Sequence, residues 1–213
     1  MTKPEIAQAA VAALKTEYPD AVCSLVSRSP LELLIATRLS AQCTDARVNL
    51  VTPALFARFP DLDAFCAASA AEIAPYIRSC GLYQTKARDI YAMCCAIRDR
   101  FSSEVPHTLD DLTSLPGVGR KTANLIMGDV YGAPAVVADT HCIRINNRLG
   151  LCDSKDPLKV ERRLRALLPP EESNAYCHRM VLHGRAVCDA RKPACSRCCM
   201  ASFCPRVGVT TAE

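Results

Sequence analysis

The chain has 213 residues, half of them hydrophobic, and a formal net charge of +4. That length supports one large hydrophobic core or two small ones. No stretch approaches the roughly 18 apolar residues of a membrane span, and the first twenty residues lack a signal peptide's apolar core, so a cytosolic chain with no membrane partner is expected. Aromatics make up 5% and tryptophan is absent. Ala, Leu and Arg are common and β-branched runs are few, so the expected class is all-α.

Helical periodicity runs over residues 6–18. A Ser29-Pro30 start signal opens a helix through Leu39. A further helix is predicted from Thr44 or Asp45 to about Phe59. Residues 61–101 read as three shorter helices, broken near Ser69 and at Gly81-Leu82-Tyr83. Thr108 caps a short helix, with Asp111 three residues on as in a capping box. Further helices are expected over residues 119–131, 139–149, 158–168 and 171–184. One β-like run, "APAVVAD", interrupts the pattern.

Fourteen cysteines is a high count for a reducing compartment, so burial or metal binding is a better reading than disulfides. Nine of them, from Cys23 to Cys177, are scattered among apolar residues and read as small core hydrophobes. The other five crowd into "CDARKPACSRCCMASFC". Cys188, Cys195, Cys198 and Cys204 give C-x6-C-x2-C-x5-C, and four thiolates suit either zinc or an iron–sulfur cluster. From His178 to the end there are six basic residues and two acidic ones, a surplus of four that equals the charge of the whole chain. A basic end on a near-neutral body points to an anionic partner.

The segment "LPGVGRKTANLIMGD" places Gly117 and Gly119 at the mouth of a helix, in a chain with only eight glycines. Glycine takes positive φ and lets another backbone approach. Aligned amides at a helix start make a phosphate site that ignores base sequence. "LPGVGRKTA" resembles the helix–hairpin–helix motif of DNA repair glycosylases, which assigns Leu115, Gly117, Val118, Gly119 and Arg120 to DNA-backbone binding.

The resemblance then extends over nearly the whole chain. "ELLIATRLSAQCTDARVN", "GLYQTKA", "EVPHTLDDLTSLPGVGRKTAN", "VADTHCIRINNRLGL" and "VLHGRAVCDARKPAC" are similar to the endonuclease III family, in the same order and at matching spacing. The resemblance implies a bifunctional DNA glycosylase and AP lyase of base excision repair, acting as a monomer on duplex DNA that carries damaged pyrimidines or abasic sites. In that family the lysine after the hairpin is the nucleophile, here Lys121, and the aspartate opening a later helix is its partner, here Asp139. The chemistry suits the types. A carboxylate stabilises the positive charge that grows on the sugar as the glycosidic bond breaks. An unprotonated amine bonds the anomeric carbon and becomes a Schiff base, and β-elimination then nicks the strand.

By the same resemblance, Gln42 and Leu82 fill the gap left by the extruded base. His141, after the Asp139-Thr140 cap, is read as a DNA-binding residue that contacts either the substrate or only the backbone. The four cysteines hold a [4Fe–4S] cluster, and Arg191 and Lys192 in the six-residue loop meet DNA phosphates. The implied architecture has a helical barrel domain over residues 23–133. Residues 1–22 and 134–213 form a discontinuous iron–sulfur domain, with DNA in the groove between the lobes. Two other readings are an adenine-mismatch-type monofunctional glycosylase, a branch that generally lacks the lysine, and a non-enzymatic DNA-binding helix–hairpin–helix module.

Overall fold

The structure, a computed structural model, describes residues 1–213. It contains helices and irregular segments and no strand. In chain order the helices are α1 (Lys3–Glu17), α2 (Pro30–Ser40), α3 (Asp45–Arg58), α4 (Leu62–Ala67), α5 (Ala70–Ile73), α6 (Tyr83–Arg100), α7 (Leu109–Thr113), α8 (Arg120–Asp129), α9 (Thr140–Arg148), α10 (Pro157–Arg165) and α11 (Ser173–Ala186). Short 3-10 turns lie at Ala74–Ile77, Pro170–Glu172 and Cys195–Arg197. No helix is long and apolar enough to cross a membrane. The chain divides into two compact units, one of Met1–Val22 with Gly132–Glu213, the other of Cys23–Tyr131.

Capping residues set most helix starts. Thr2 and Ser69 form complete capping boxes with Glu5 and Glu72, and Ser29, Thr44 and Asp61 each accept a bond from an amide three residues on. At Thr108 the expected box is only half made. Its hydroxyl accepts from the Asp111 amide and donates to the Asp111 carboxylate at 2.7 Å, so the carboxylate meets the hydroxyl and not the Thr108 amide.

In the continuous unit α6 packs on α2, α4 and α5, while α8 packs on α2 and α7. Leu34, Ile35, Leu39, Ile90 and Ile126 are fully buried between them. Phe59 stacks on Phe65 at 5.1 Å and meets Tyr76 edge-on, filling the space under α3.

In the discontinuous unit α11 packs on both α1 and α9. The α9–α11 approach is close at Gly184, where a Cβ would stand 2.4 Å from His141 Nδ1. Tyr176, fully buried on α11, donates to Asn146 Oδ1 on α9 at 2.7 Å. The β-like run folds otherwise than expected. Residues 133–139 form no strand, because no second extended segment pairs with them, yet Ala135, Val136, Val137 and Ala138 are buried. Their apolarity served a core-lining connection. The Val137 amide finds its acceptor in the Cys177 thiol at 3.3 Å.

Gly184→Ala is therefore expected to destabilise the protein by about 1–3 kcal/mol, because the ring of His141 and the backbone of α11 cannot both stay in place. Urea unfolding measures this, and a variant matching the wild-type midpoint would refute the packing argument.

Candidate DNA-repair site

The hairpin joins α7 to α8 within the continuous unit. Its two glycines have different physical reasons. Gly117 has φ +72°, and a Cβ there would stand 2.8 Å from both Arg38 Nε and Asp89 Cβ. Arg38 on α2 and Asp89 on α6 form a partly buried ion pair, Nη2 to Oδ2 at 2.5 Å, directly under the turn. Gly119 has an ordinary φ of −93° and open space around its missing Cβ. It is the N-cap of α8, and no side chain caps that helix. No side chain therefore occupies the N-terminal end of α8, the end of a helix that suits an anion.

Leu115 and Val118 are buried, and the Val118 amide is spent on the Leu115 carbonyl at 3.1 Å. Their contribution is to hold the turn's shape. Arg120 and Lys121 are exposed on the first turn of α8.

Gln42 and Leu82 share an uncommon backbone state. Both are non-glycine residues in the left-handed region, with φ of +53° and +58°. Gln42 follows Ala41 (φ −59°, ψ 114°) in a turn closed by the Cys43 amide on the Ser40 carbonyl, a type II turn whose third position usually holds glycine. Leu82 opens α6 and is 63% exposed, which excludes a core role.

In the discontinuous unit Asp139 is the N-cap of α9. Its Oδ1 accepts from the Cys142 amide at 2.7 Å. The carboxylate is half-buried, and the cap uses only one of its oxygens. His141 is drawn into packing, its Nδ1 3.1 Å from Arg144 Nη2 and against Gly184.

The four predicted ligands share one site: Cys188, Cys195, Cys198 and Cys204 all line one cavity, with Ile145, Arg148 and His183 among its walls. Cys199 does not line it. All fourteen cysteines are free thiols. Nowhere do three or more His, Cys, Asp or Glu side chains converge to hold one metal ion. Four thiols around one cavity suit either a zinc ion or an iron–sulfur cluster.

The sulfurs differ: donors favour the thiolate at Cys198, while burial raises Cys188 and Cys204. Arg148 Nη1 reaches Cys188 Sγ at 3.1 Å, opposing the burial that pushes this thiol up. Cys198 is held down to about 4, foremost by a hydrogen bond from the Cys199 thiol, then by His183 and the Met200 amide. The loop after Cys188 is fixed from both sides. Asp189 Oδ1 accepts from the Arg191 and Lys192 amides at 2.7 and 3.1 Å, while Arg148 donates to the carbonyls of Asp189 and Ala190. Arg191 and Lys192 stand exposed on it.

Reading the residues alone missed three supports of this site: the Arg38–Asp89 pair, the bond from Lys86 on α6 to the Leu39 carbonyl on α2, and the grip of Arg144 and Arg148 on the Cys188 carbonyl. Only the last left a signal, two arginines four apart on one helix face. The other two depend on contacts between residues 51 and 47 apart.

Comparisons with known proteins fit this geometry. The model of the HhH-GPD superfamily of base excision DNA repair proteins matches residues 35–170. Endonuclease III of Synechocystis sp. (strain ATCC 27184 / PCC 6803 / Kazusa) is 47% identical over 193 residues, covering 90% of this chain and 88% of the relative. Endonuclease III of Bacillus subtilis (strain 168) is 42% identical, covering 88% and 86%. The chain belongs to the HhH-GPD superfamily, and within it to the endonuclease III family. A solved structure of a trapped endonuclease III–DNA covalent intermediate superposes with a TM-score of 0.90 at 43% identity, covering 97% of each chain. A thermostable thymine-DNA glycosylase, 20% identical with a TM-score of 0.84, shares the fold.

The two glycines separate experimentally. Gly117→Ala is expected to cost about 2–4 kcal/mol of stability, from left-handed strain and the clash with Asp89. Gly119→Ala should cost less than about 1 kcal/mol while weakening DNA binding. Thermal melts beside fluorescence-anisotropy titrations with duplex DNA read both, and equal stability losses would contradict the assignment.

Proposed function

We propose that this protein is a bifunctional DNA glycosylase and AP lyase of base excision repair. It removes oxidised pyrimidines from duplex DNA and nicks the resulting abasic site. The observation that carries the reading is an exposed lysine on the first turn of an uncapped helix, immediately after the glycine hairpin. A relative 43% identical was captured as a covalent DNA intermediate, and only a nucleophile of the enzyme makes such a bond.

The hairpin binds backbone phosphate at the N-terminal end of α8, which fixes the strand without reading its sequence. Gln42 and Leu82 project from their turns to occupy the space of the extruded nucleotide. Gln42 meets the unpaired base by hydrogen bonding, and Leu82 separates the stacked neighbours. Asp139 stabilises the positive charge developing on the sugar through the carboxylate oxygen its cap leaves free. Lys121 forms a bond from Nζ to the anomeric carbon as the base departs with the bonding pair. Loss of a proton from nitrogen and ring opening give the iminium. That cation acidifies the adjacent sugar proton, and elimination expels the 3′ phosphate.

The four sulfurs lining this one cavity fit a [4Fe–4S] cluster held by Cys188, Cys195, Cys198 and Cys204. When bound, such a cluster cross-links the tail and supplies rigidity. Arg191 and Lys192 are thereby presented to phosphates with little ordering cost.

Borohydride added during reaction with a thymine-glycol or abasic duplex should trap a protein–DNA adduct. Lys121→Ala should give neither adduct nor nick, while keeping DNA affinity. Asp139→Asn should slow base release by about 10²–10³-fold. Wild-type protein that binds these duplexes but neither releases base nor nicks would overturn the reading in favour of a binding module.

The protein as isolated is expected to be brown, with about four irons per chain. Cys198→Ser should lose most of the iron and the visible absorbance. Stoichiometric zinc in a colourless protein would refute the cluster.

A further inference from the structure

One basic residue of the continuous unit faces neither solvent nor a carboxylate. Lys86, on the second turn of α6, is 0% exposed. Its Nζ donates to the carbonyl of Leu39 at 2.8 Å. Leu39 lies in the last turn of α2, where carbonyls lack helical partners. The neighbouring carbonyls are met locally, Thr37 by the Ser40 hydroxyl and Ser40 by the Cys43 amide. The Leu39 carbonyl receives its donor from 47 residues away. The same Lys86 donates its backbone amide to the Leu82 carbonyl at 3.0 Å. One residue thus holds the turn after α2, which carries Gln42, and the turn before α6, which carries Leu82.

The two turns also touch. The Cβ position at Gly81 is 4.0 Å from the Gln42 carbonyl oxygen. Both projecting residues sit in the left-handed region, which a side chain adopts at a cost of about 1–2 kcal/mol. Such states persist only where surroundings over-determine them.

A cation near the start of α6 opposes that helix's own dipole, and it complements the C-terminal end of α2. Its location therefore serves the α2 turn. Desolvation pushes the Lys86 amine below the ordinary lysine range, with Arg38 adding to it and the Cys43 and Cys80 thiols opposing. A buried ammonium held without a carboxylate is costly, so local helix stability alone does not account for it.

The geometry points to Lys86 as the positioning residue that sets Gln42 and Leu82 against each other, and so controls how well the protein extrudes a base from a duplex. This rests on the glycosylase reading of the same site. Lys86 touches no reacting atom. Its removal should leave the chemical step intact and impair only the substrates that must be unstacked.

The test compares Lys86→Met and Lys86→Gln with wild type on two substrates, a duplex containing thymine glycol and a single-stranded abasic oligonucleotide. Lys86→Met keeps the stem and removes the charge, and Lys86→Gln keeps a donor in a shorter, neutral side chain. Loss of the bond to Leu39 is expected to lower single-turnover base release from the duplex by about tenfold or more. Nicking of the single strand should stay within about twofold of wild type, since no stacked base needs extrusion there. Should Lys86→Met fail to fold, Lys86→Gln provides the same ratio. An unchanged duplex-to-single-strand ratio in the folded variant, or an equal fall on both substrates, would overturn the positioning role. If wild type itself acts on neither substrate, the glycosylase reading fails instead.

Discussion

A nine-residue helix carries a carboxylate at its start and two guanidinium groups further along, and the chemistry of the discontinuous unit depends on it. Asp139 caps the first turn of α9. Arg144, at its middle, and Arg148, at its end, both reach the Cys188 carbonyl. Both ends obey the dipole rule, with the anion at the N-terminus and the cations toward the C-terminus. The Asp139 cap lies within the helix and moves with it, while Arg144 and Arg148 tie the helix to the Cys188 carbonyl, so the carboxylate and the cysteine loop are mechanically linked. Gly184 lets α11 close on this helix from the side, and Tyr176 pins Asn146 in its second half.

The continuous unit solves a different problem with the same economy. Its hairpin must expose amides, yet exposed turns are mobile unless something rigid lies beneath. Here the support is the Arg38–Asp89 ion pair, close enough under Gly117 that no side chain fits at that position. Surface ion pairs contribute little to stability. This one is partly screened from water, 14% and 26% exposed, and its role is to fix the height at which the turn rests. The opposite arrangement holds at Gly119, where emptiness is the useful property.

The sequence disclosed what is local. Caps at Ser29, Thr44 and Asp139, the hairpin and the thiol spacing were all readable, because each is set by residues within a turn or two. The all-helical class followed from composition and period. Contacts across long stretches of chain were not readable. Nothing near Lys86 in "TKARDI" marks it as buried against Leu39, and nothing near Arg38 marks it as the floor of a turn some eighty residues on. The "APAVVAD" run misled for a related reason. Apolar residues report burial, and a strand additionally needs a partner that this fold does not supply. Leu115 and Val118, part of the binding motif as written, turned out to face inward. A motif records every residue a structure constrains, whether the constraint comes from ligand or from core.

The cysteines show how environment, more than residue type, decides chemistry. Outside the tail none is fully exposed. Burial drives Cys23 up to about 11 and Cys94 well above its ordinary range. A thiol kept protonated is a poor nucleophile and a poor metal ligand, so these residues act as small apolar groups. In the tail, donors outweigh burial at Cys198, through Cys199, His183 and the Met200 amide, and Arg148 opposes it at Cys188 without overcoming it. His183 is itself fully buried and meets the Tyr18 hydroxyl through its other nitrogen, so the ring's orientation is set by α1. That link gives the first helix of the chain a part in the thiol site 180 residues away. The cavity's remaining walls come from α9 and α11 through Ile145, Arg148 and His183, and from the tail's own Ala194 and Met200, both buried, so α1 acts on the thiols only through the ring it orients.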